Sequence, residues 1–190
     1  NTGQYDTAFN YFEKSVALFD SLKNRPNKRK ALLLLGHYHL EKNNLKRAKE
    51  QFIEALDLGK EMGIVSDQHM VSAFSGLAKV YNTGKSYNEA ITSGLDAIKI
   101  ASEIGAKQKL VAAHEIVSEA FAKIGAYEQA FYHQQQFAIY QDSLTNETNT
   151  RNLNEILTKY ETDKKEKENL ILKKEANLAE LTIKKQQSVT

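Results

Sequence analysis

The chain has 190 residues, 41% of them hydrophobic and 26% charged, with 26 Lys and Arg against 24 Asp and Glu for a net charge of +2. That near-balance supplies no long-range field for gathering nucleic acid, and the lack of cysteine excludes disulfides, thiolate metal sites and cysteine nucleophiles. One proline and nine glycines suit helices joined by short turns, and no apolar run approaches the length that crosses a bilayer.

The chain opens at Asn1-Thr2-Gly3 without methionine or a signal-peptide pattern, and Gly3-Gln4-Tyr5 reads as the turn in the middle of a helical hairpin. The first helix of repeat one is therefore expected to be missing, the chain being a piece of a longer protein. Residues 4–22 carry Ala8, Phe12, Ser15, Val16 and Phe19 at helical spacing. Asn24-Arg25-Pro26-Asn27 breaks that helix, with Pro26 placed to open the next, where its missing N–H costs nothing. The second helix runs to about Lys42, and Asn43-Asn44 makes the turn and caps a third that ends at Met62-Gly63. Ser66 is expected to cap a helix to about Asn82. After a turn at Gly84, Ser86 and Glu89 have capping-box spacing for a helix ending at Gly105. One more ends at Gly125, and the last helix of the array covers about 127–144. Short loops between helices of this length force antiparallel neighbours.

Small and aromatic residues recur in phase along these helices: Ala8, Phe12, Ser15; Ala48, Phe52, Ala55; Ala90, Gly94, Ala97; Ala130, Gln134, Phe137. The first alanines are 40, 42 and 40 residues apart, a period that predicts a solenoid of hairpins over 1–145. Gly36 and Ala48 let two helices approach closely while Phe52 fills the volume beside them. From Asn146 to the end the composition turns charged, without glycine or proline, and a single long helix is expected over 146–190. Its heptad-like seam holds Leu153, Leu157, Tyr160, Ile171, Leu178 and Leu181, interrupted by Lys164, Lys167, Lys174 and Lys185. The first part of the tail is expected to pack on helix 127–144, covering the open end of the solenoid. The remainder either pairs with a second copy, the favoured reading, or stands as a single helix held by Lys/Glu pairs.

With Leu35-Gly36, Ala48, Phe52 and Ala55 in place, the repeats resemble tetratricopeptide repeats. Repeat three continues the pattern with Phe74, Leu77, Ala78, Tyr81, Ala90 and Ala97, and repeat four with Val117, Ser118, Phe121, Gly125, Tyr127 and Ala130. Gly94 and Gln134 replace the family's aromatic, and the period exceeds its 34 residues, so longer helices and a less regular superhelix are expected. The resemblance implies an all-α, right-handed superhelical solenoid of about three and a half hairpins followed by a long coiled-coil-like helix. It also implies partner binding along the first helices of the hairpins. In phase with the family, that concave side holds Lys30, Leu33, His37, Glu41, Ser75, Lys79, Asn82, Glu115, Glu119 and Lys123. Their mixed signs point to a peptide or protein ligand rather than a polyanion, although the same residues equally describe a solvated helix face. The family's chaperone-binding clamp needs an asparagine where Leu33 stands, so that specificity is not expected.

Residues 153–175 resemble the linker that follows such repeats in bacterial membrane-bound sensor histidine kinases and LuxR-type regulators. This second resemblance implies a sensory or scaffolding module on the periplasmic side of an inner membrane. A homodimer through the tail is implied too, and a membrane contact only through a segment outside this chain. The alternative is a cytosolic peptide receptor that binds a response regulator. Tyr38, Tyr81 and Phe121 are expected to fill the core between hairpins. His37 and His39 point to different faces, and His69, His114 and His133 have no neighbour at ligand spacing, so each histidine is expected to be an ordinary surface or groove residue. No metal, cofactor or catalytic residue is expected.

Overall fold

The computed structural model describes residues 2–187, with backbone alone given for 2–8, for 175–187 and for a few positions between 149 and 171. Seven helices follow one another: α1 (Thr2–Ser21), α2 (Arg25–Glu41), α3 (Leu45–Glu61), α4 (Gln68–Thr83), α5 (Tyr87–Glu103), α6 (Lys107–Lys123) and α7 (Tyr127–Gln187). They form the all-α solenoid of helical hairpins, with a long C-terminal helix, that the period predicts. The chain divides into two units, one ending at Leu144 and the other beginning at Thr145. Two expectations at the ends change. Gly3–Tyr5 lie inside α1 rather than in a turn before it, and α7 continues past Leu144 without a break. No glycine or proline stands between Ala126 and Gln187 to stop it.

One device closes all six loops. A residue with positive φ follows each helix: Lys23 (51°), Asn43 (55°), Gly63 (70°), Lys85 (63°), Gly105 (66°) and Gly125 (80°). The next N–H then donates to the carbonyl five residues back. These bonds are Asn24 to Phe19, Asn44 to His39, Ile64 to Gly59, Ser86 to Tyr81, Ala106 to Ala101 and Ala126 to Phe121, all at 2.8–3.0 Å. This is the Schellman closure, which satisfies carbonyls left open at a helix end. The turn expected at Gly84 is therefore made by Lys85, while Gly84 keeps an ordinary φ of −77°.

In most loops the residue that closes one helix also opens the next. Asn24 and Asn44 accept from the N–H groups of Asn27 and Arg47, as their side chains predict. The loop after α3 is longer, and there the cap is Asp67, accepting from Met70 N–H at 2.7 Å, and not Ser66. Ser66 donates instead to Glu103. Ser86 sits at the start of α5 without a side-chain cap bond, so the expected capping box does not form.

The core runs along the hairpins from Leu32 through Phe52, Val71 and Leu77 to Leu110 and Ala113. Phe52 is fully buried. A methyl group added at Gly36 of α2 would lie 2.7 Å from its ring, and one at Gly76 of α4 would overlap the ring outright. Phe52 of α3 is thus gripped by glycines from its own hairpin and from the next. Along the period Gly94 takes the place of Phe52, and the size relation inverts there. A methyl at Gly94 would overlap Val117 of α6, so the following hairpin now supplies the bulk and α5 the space. Tyr38 stacks on Phe9, and Tyr81 and Phe121 pack on Ala90, Ile91 and Ala120, as expected of core aromatics.

A buried cation crosses this apolar stack. Arg29 of α2, 2% exposed, passes over Gly59, where a methyl would sit 2.9 Å from the guanidinium carbon. It donates from Nε to the Ala55 carbonyl and bidentately to the Asp67 carboxylate at 2.6 and 3.0 Å. One side chain therefore ties α2 to α3 and to the start of α4. Burial would raise the Asp67 pKa, but hydrogen bonds from Arg29 and from the Met70 N–H, with the Arg29 charge and His69, hold it below its ordinary 3.8.

Helix propensity favours Ala over Gly by about 1 kcal/mol, so a net loss in Gly76→Ala can come only from the clash with Phe52. The expected loss is about 1–3 kcal/mol in urea unfolding, partly recovered when Phe52→Leu is added. Asp67→Ala strands the buried Arg29 and is expected to cost about 3 kcal/mol, more than Arg29→Met, which removes the buried charge and leaves only the part-exposed Asp67 carboxylate unpaired. Because the folded pKa of Asp67 is depressed, its contribution is complete above about pH 4 and is lost as pH falls further. Wild type should therefore approach the Asp67→Ala variant in stability at low pH.

Candidate functional site

Helices α2, α4 and α6 are the first helices of successive hairpins and contact one another in series. Their outer residues line one groove. Glu41, Lys79, Asn82, Glu115 and Glu119 meet there around a cavity of about 450 Å³, with Leu40, Thr83 and Ile116 completing its wall. Helical spacing explains the set: Lys79 and Asn82 are one turn apart on α4, as are Glu115 and Glu119 on α6. Asn82 donates from Nδ2 to Glu119 at 2.8 Å, and its Oδ1 is buried without a hydrogen-bond partner. The Ser75 hydroxyl, two turns earlier on α4, is buried and unpaired as well.

His37 stands one turn before Glu41, its ring edge-on to Phe52 with centroids 5.0 Å apart. Its pKa is lowered by burial first, then by the charges of Lys109 and Lys79, with Glu41 opposing. Lys109 reaches across from α6 to the Ser72 hydroxyl of α4 at 3.0 Å. The groove thus carries two ammonium groups within electrostatic reach of an imidazole, beside three carboxylates. A side chain that offers both donor and acceptor groups finds complements there, whereas a uniform run of one charge meets like charge somewhere along its length.

Not every residue assigned to the groove reaches it. Leu33 is 5% exposed and belongs to the core, which corrects its assignment to the binding face. Lys30 and Lys123 are exposed but do not line the cavity. In the tail Leu157 is 58% exposed, and the side chains of Leu153, Tyr160, Ile171, Leu178 and Leu181 lie outside the described residues. A larger cleft of about 1050 Å³ opens between α1, α2 and α3 over Phe19, Ile53 and Leu58. Its charges already serve one another: Lys28 bridges Asp20 at 2.6 Å and Glu54 at 3.0 Å, and both bonds raise its pKa.

The expectation that His114 and His133 are ordinary surface or groove residues is overturned. They are 4% and 7% exposed, and their Nδ1 atoms face each other at 2.9 Å across the α6–α7 contact. That separation is an N–H···N bond length. Tetrahedral zinc would hold two imidazole nitrogens about 3.3 Å apart. Ser118, one turn after His114, donates to the Ala130 carbonyl at 2.8 Å and fastens the same pair of helices. The period contained the signal for both histidines. His114 occupies the place of Leu32 and Phe74, and His133 that of Gln51 and Ser93, all of them at least half-buried.

Residues 1–61 match the tetratricopeptide-repeat family model. Among solved structures the chain is similar to the crystal structure of BtubC (BKLC) from P. vanneervenii, with a TM-score of 0.65 and 12% identity over 75% of this chain and 59% of that one. At this identity the likeness is one of fold, and the chain spans less than two thirds of that protein's length. No curated protein matches the sequence. The matched segment covers α1 to α3, about a third of the chain, and the hairpins beyond it repeat the same layout.

Proposed function

We propose that this chain is a non-catalytic interaction module that receives a peptide segment of a partner protein in the groove of α2, α4 and α6. The observation that carries the reading is the composition of the cavity: Glu41, Glu115 and Glu119 beside Lys79, with the unpaired buried acceptor of Asn82 among them. A ligand ammonium or amide N–H finds acceptors in the three carboxylates, and a ligand carboxylate finds Lys79. Helical repeats of this kind are generally non-catalytic.

The resemblance of residues 153–175 to sensor linkers supports a finer reading, in which the module belongs to a bacterial signalling protein and lies on the periplasmic side of the inner membrane. Ligand binding across α4 and α6 would alter how α6 holds residues 127–144, and paired tails would carry that change along α7. Among the described residues no helix is long and apolar enough to cross a membrane, so a membrane contact would come from a segment outside this chain. A cytosolic receptor for a response regulator would use the same groove and differ in what the tail contacts.

Peptides selected against the full chain from a mixed-charge display library are expected to lose at least tenfold in affinity to Lys79→Glu and to Glu119→Lys. Lys99→Glu, on α5 and away from the cavity, should leave affinity unchanged. Binders indifferent to both groove substitutions would exclude this site. A proline at position 157 of the full chain removes a helical hydrogen bond at a cost of about 3 kcal/mol. Leu157→Pro is therefore expected to reduce helical circular dichroism without moving the unfolding midpoint of the repeats, and to uncouple signalling in the parent protein from peptide binding.

A further inference from the structure

We propose that His114 and His133 form a proton-operated latch that holds residues 127–144 of α7 against α6 when both rings are uncharged and releases them when the pair takes up protons.

The geometry fixes the proton count. Two Nδ1 atoms 2.9 Å apart accommodate one hydrogen: one imidazole donates its N–H and the other accepts through its lone pair. A first added proton places a positive charge in a site that is more than nine-tenths buried. A second leaves two N–H groups, both positive, pointing at each other, and the bond becomes a repulsion.

Little in the surroundings compensates either charge. His114 is stacked on Tyr140, and His133 lies between the Phe121 ring and the edge of Tyr132. Among the charged residues of α6, Glu115 and Glu119 line the groove, Lys109 bonds Ser72, and Lys107 bonds Ser143 at another point of the α6–α7 contact; Lys123 of α6 and Glu128 and Asp142 of α7 are exposed to solvent. On α5, Asp96, Lys99 and Glu103 line a separate cleft against the start of α4. The ionisable group that acts on His114 is His133 itself, and burial is what acts on His133.

Both rings are accordingly held below the ordinary 6.5, His114 at about 4, with burial as the largest cause. In the released form they would protonate near 6.5. The latch is therefore at full strength above about pH 6.5 and weakens as pH falls towards 4, because the released form binds more protons. Lowering the pH from 7 to 4.5 should raise the opening equilibrium of this contact by tenfold or more. At pH 4.5 the Asp67 carboxylate, with its depressed pKa, still holds Arg29, so α2 to α4 remain fastened.

Amide hydrogen exchange on the full chain, corrected for the intrinsic effect of pH on exchange, tests the latch. Between pH 7 and pH 4.5 the amides of residues 128–142 are expected to lose at least tenfold in protection relative to those of α3. In the His114→Gln/His133→Gln variant, which has no imidazole left at this contact, the two segments should change in parallel. Parallel change in the wild type, or an undiminished relative loss in the variant, would overturn the proposal. Should the double variant fail to fold, long-range 1H–15N spectra of the wild-type imidazoles decide. One protonated and one bare Nδ1 at pH 7, with midpoints well below 6.5, support the latch, and two independent titrations near 6.5 reject it.

Discussion

Helix axes in this molecule can come close only where one of the facing residues gives up its side chain. Phe52 shows the constraint most plainly. The ring has no exposed surface because Gly36 and Gly76 leave the volume it fills, and a single methyl at either glycine would occupy that volume. Burying a side chain of this size contributes on the order of 2–3 kcal/mol, but only if the space is vacant from both sides. What the stack requires is therefore a fixed sum of volumes at each contact rather than an aromatic at one position. Gly94 meets the requirement from the opposite direction, with Val117 supplying the bulk. A pattern written as residue types treats Gly94 as an exception, whereas volume matching treats it as the same rule.

Polar groups set into the apolar stack give it register. Hydrophobic contact alone is tolerant of sliding, but a bidentate guanidinium–carboxylate pair is satisfied in one alignment only. Arg29 performs this service for α2, α3 and α4 through Ala55 and Asp67. At the other end Ser118 and the paired histidines do the same for α6 and α7. The two fastenings differ in chemistry. The first relies on a carboxylate that the Arg29 and Met70 hydrogen bonds hold below its ordinary pKa, so it stays charged in mild acid. The second depends on two rings staying uncharged. The last hairpin is thereby the acid-sensitive part of the array, and it is also the part whose second helix continues into the tail.

Six loops of one closure, repeated at nearly equal intervals, keep the first helices of the hairpins on a common side. Residues more than forty positions apart in sequence, such as Leu40 and Ile116, then share one cavity wall. The groove is consequently a product of the repeat geometry, and its specificity is left to side chains that the packing does not constrain. Leu33 illustrates the boundary between the two roles: its place in the repeat suits a ligand contact, but its packing claims it for the core.

How much could be read without coordinates follows from the range of the interactions involved. The helices, the places where they stop and the period of small residues come from contacts within a few positions along the chain, and these were legible in Pro26, Asn24, Asn44, Gly63, Gly105 and Gly125. The interval between Ala48, Ala90 and Ala130 extended that reading to the architecture, because a repeated local pattern stacks in only one way. Five groove residues followed from the same phase. Cap chemistry at Asp67 and the turn at Lys85 were not legible, since serine and glycine at the neighbouring positions offered equally good local solutions. The charge pair Arg29–Asp67 and the imidazole pair His114–His133 join residues 38 and 19 positions apart. Only the tertiary structure decides such partnerships, because a buried polar group is defined by what lies across from it and not by its neighbours along the chain.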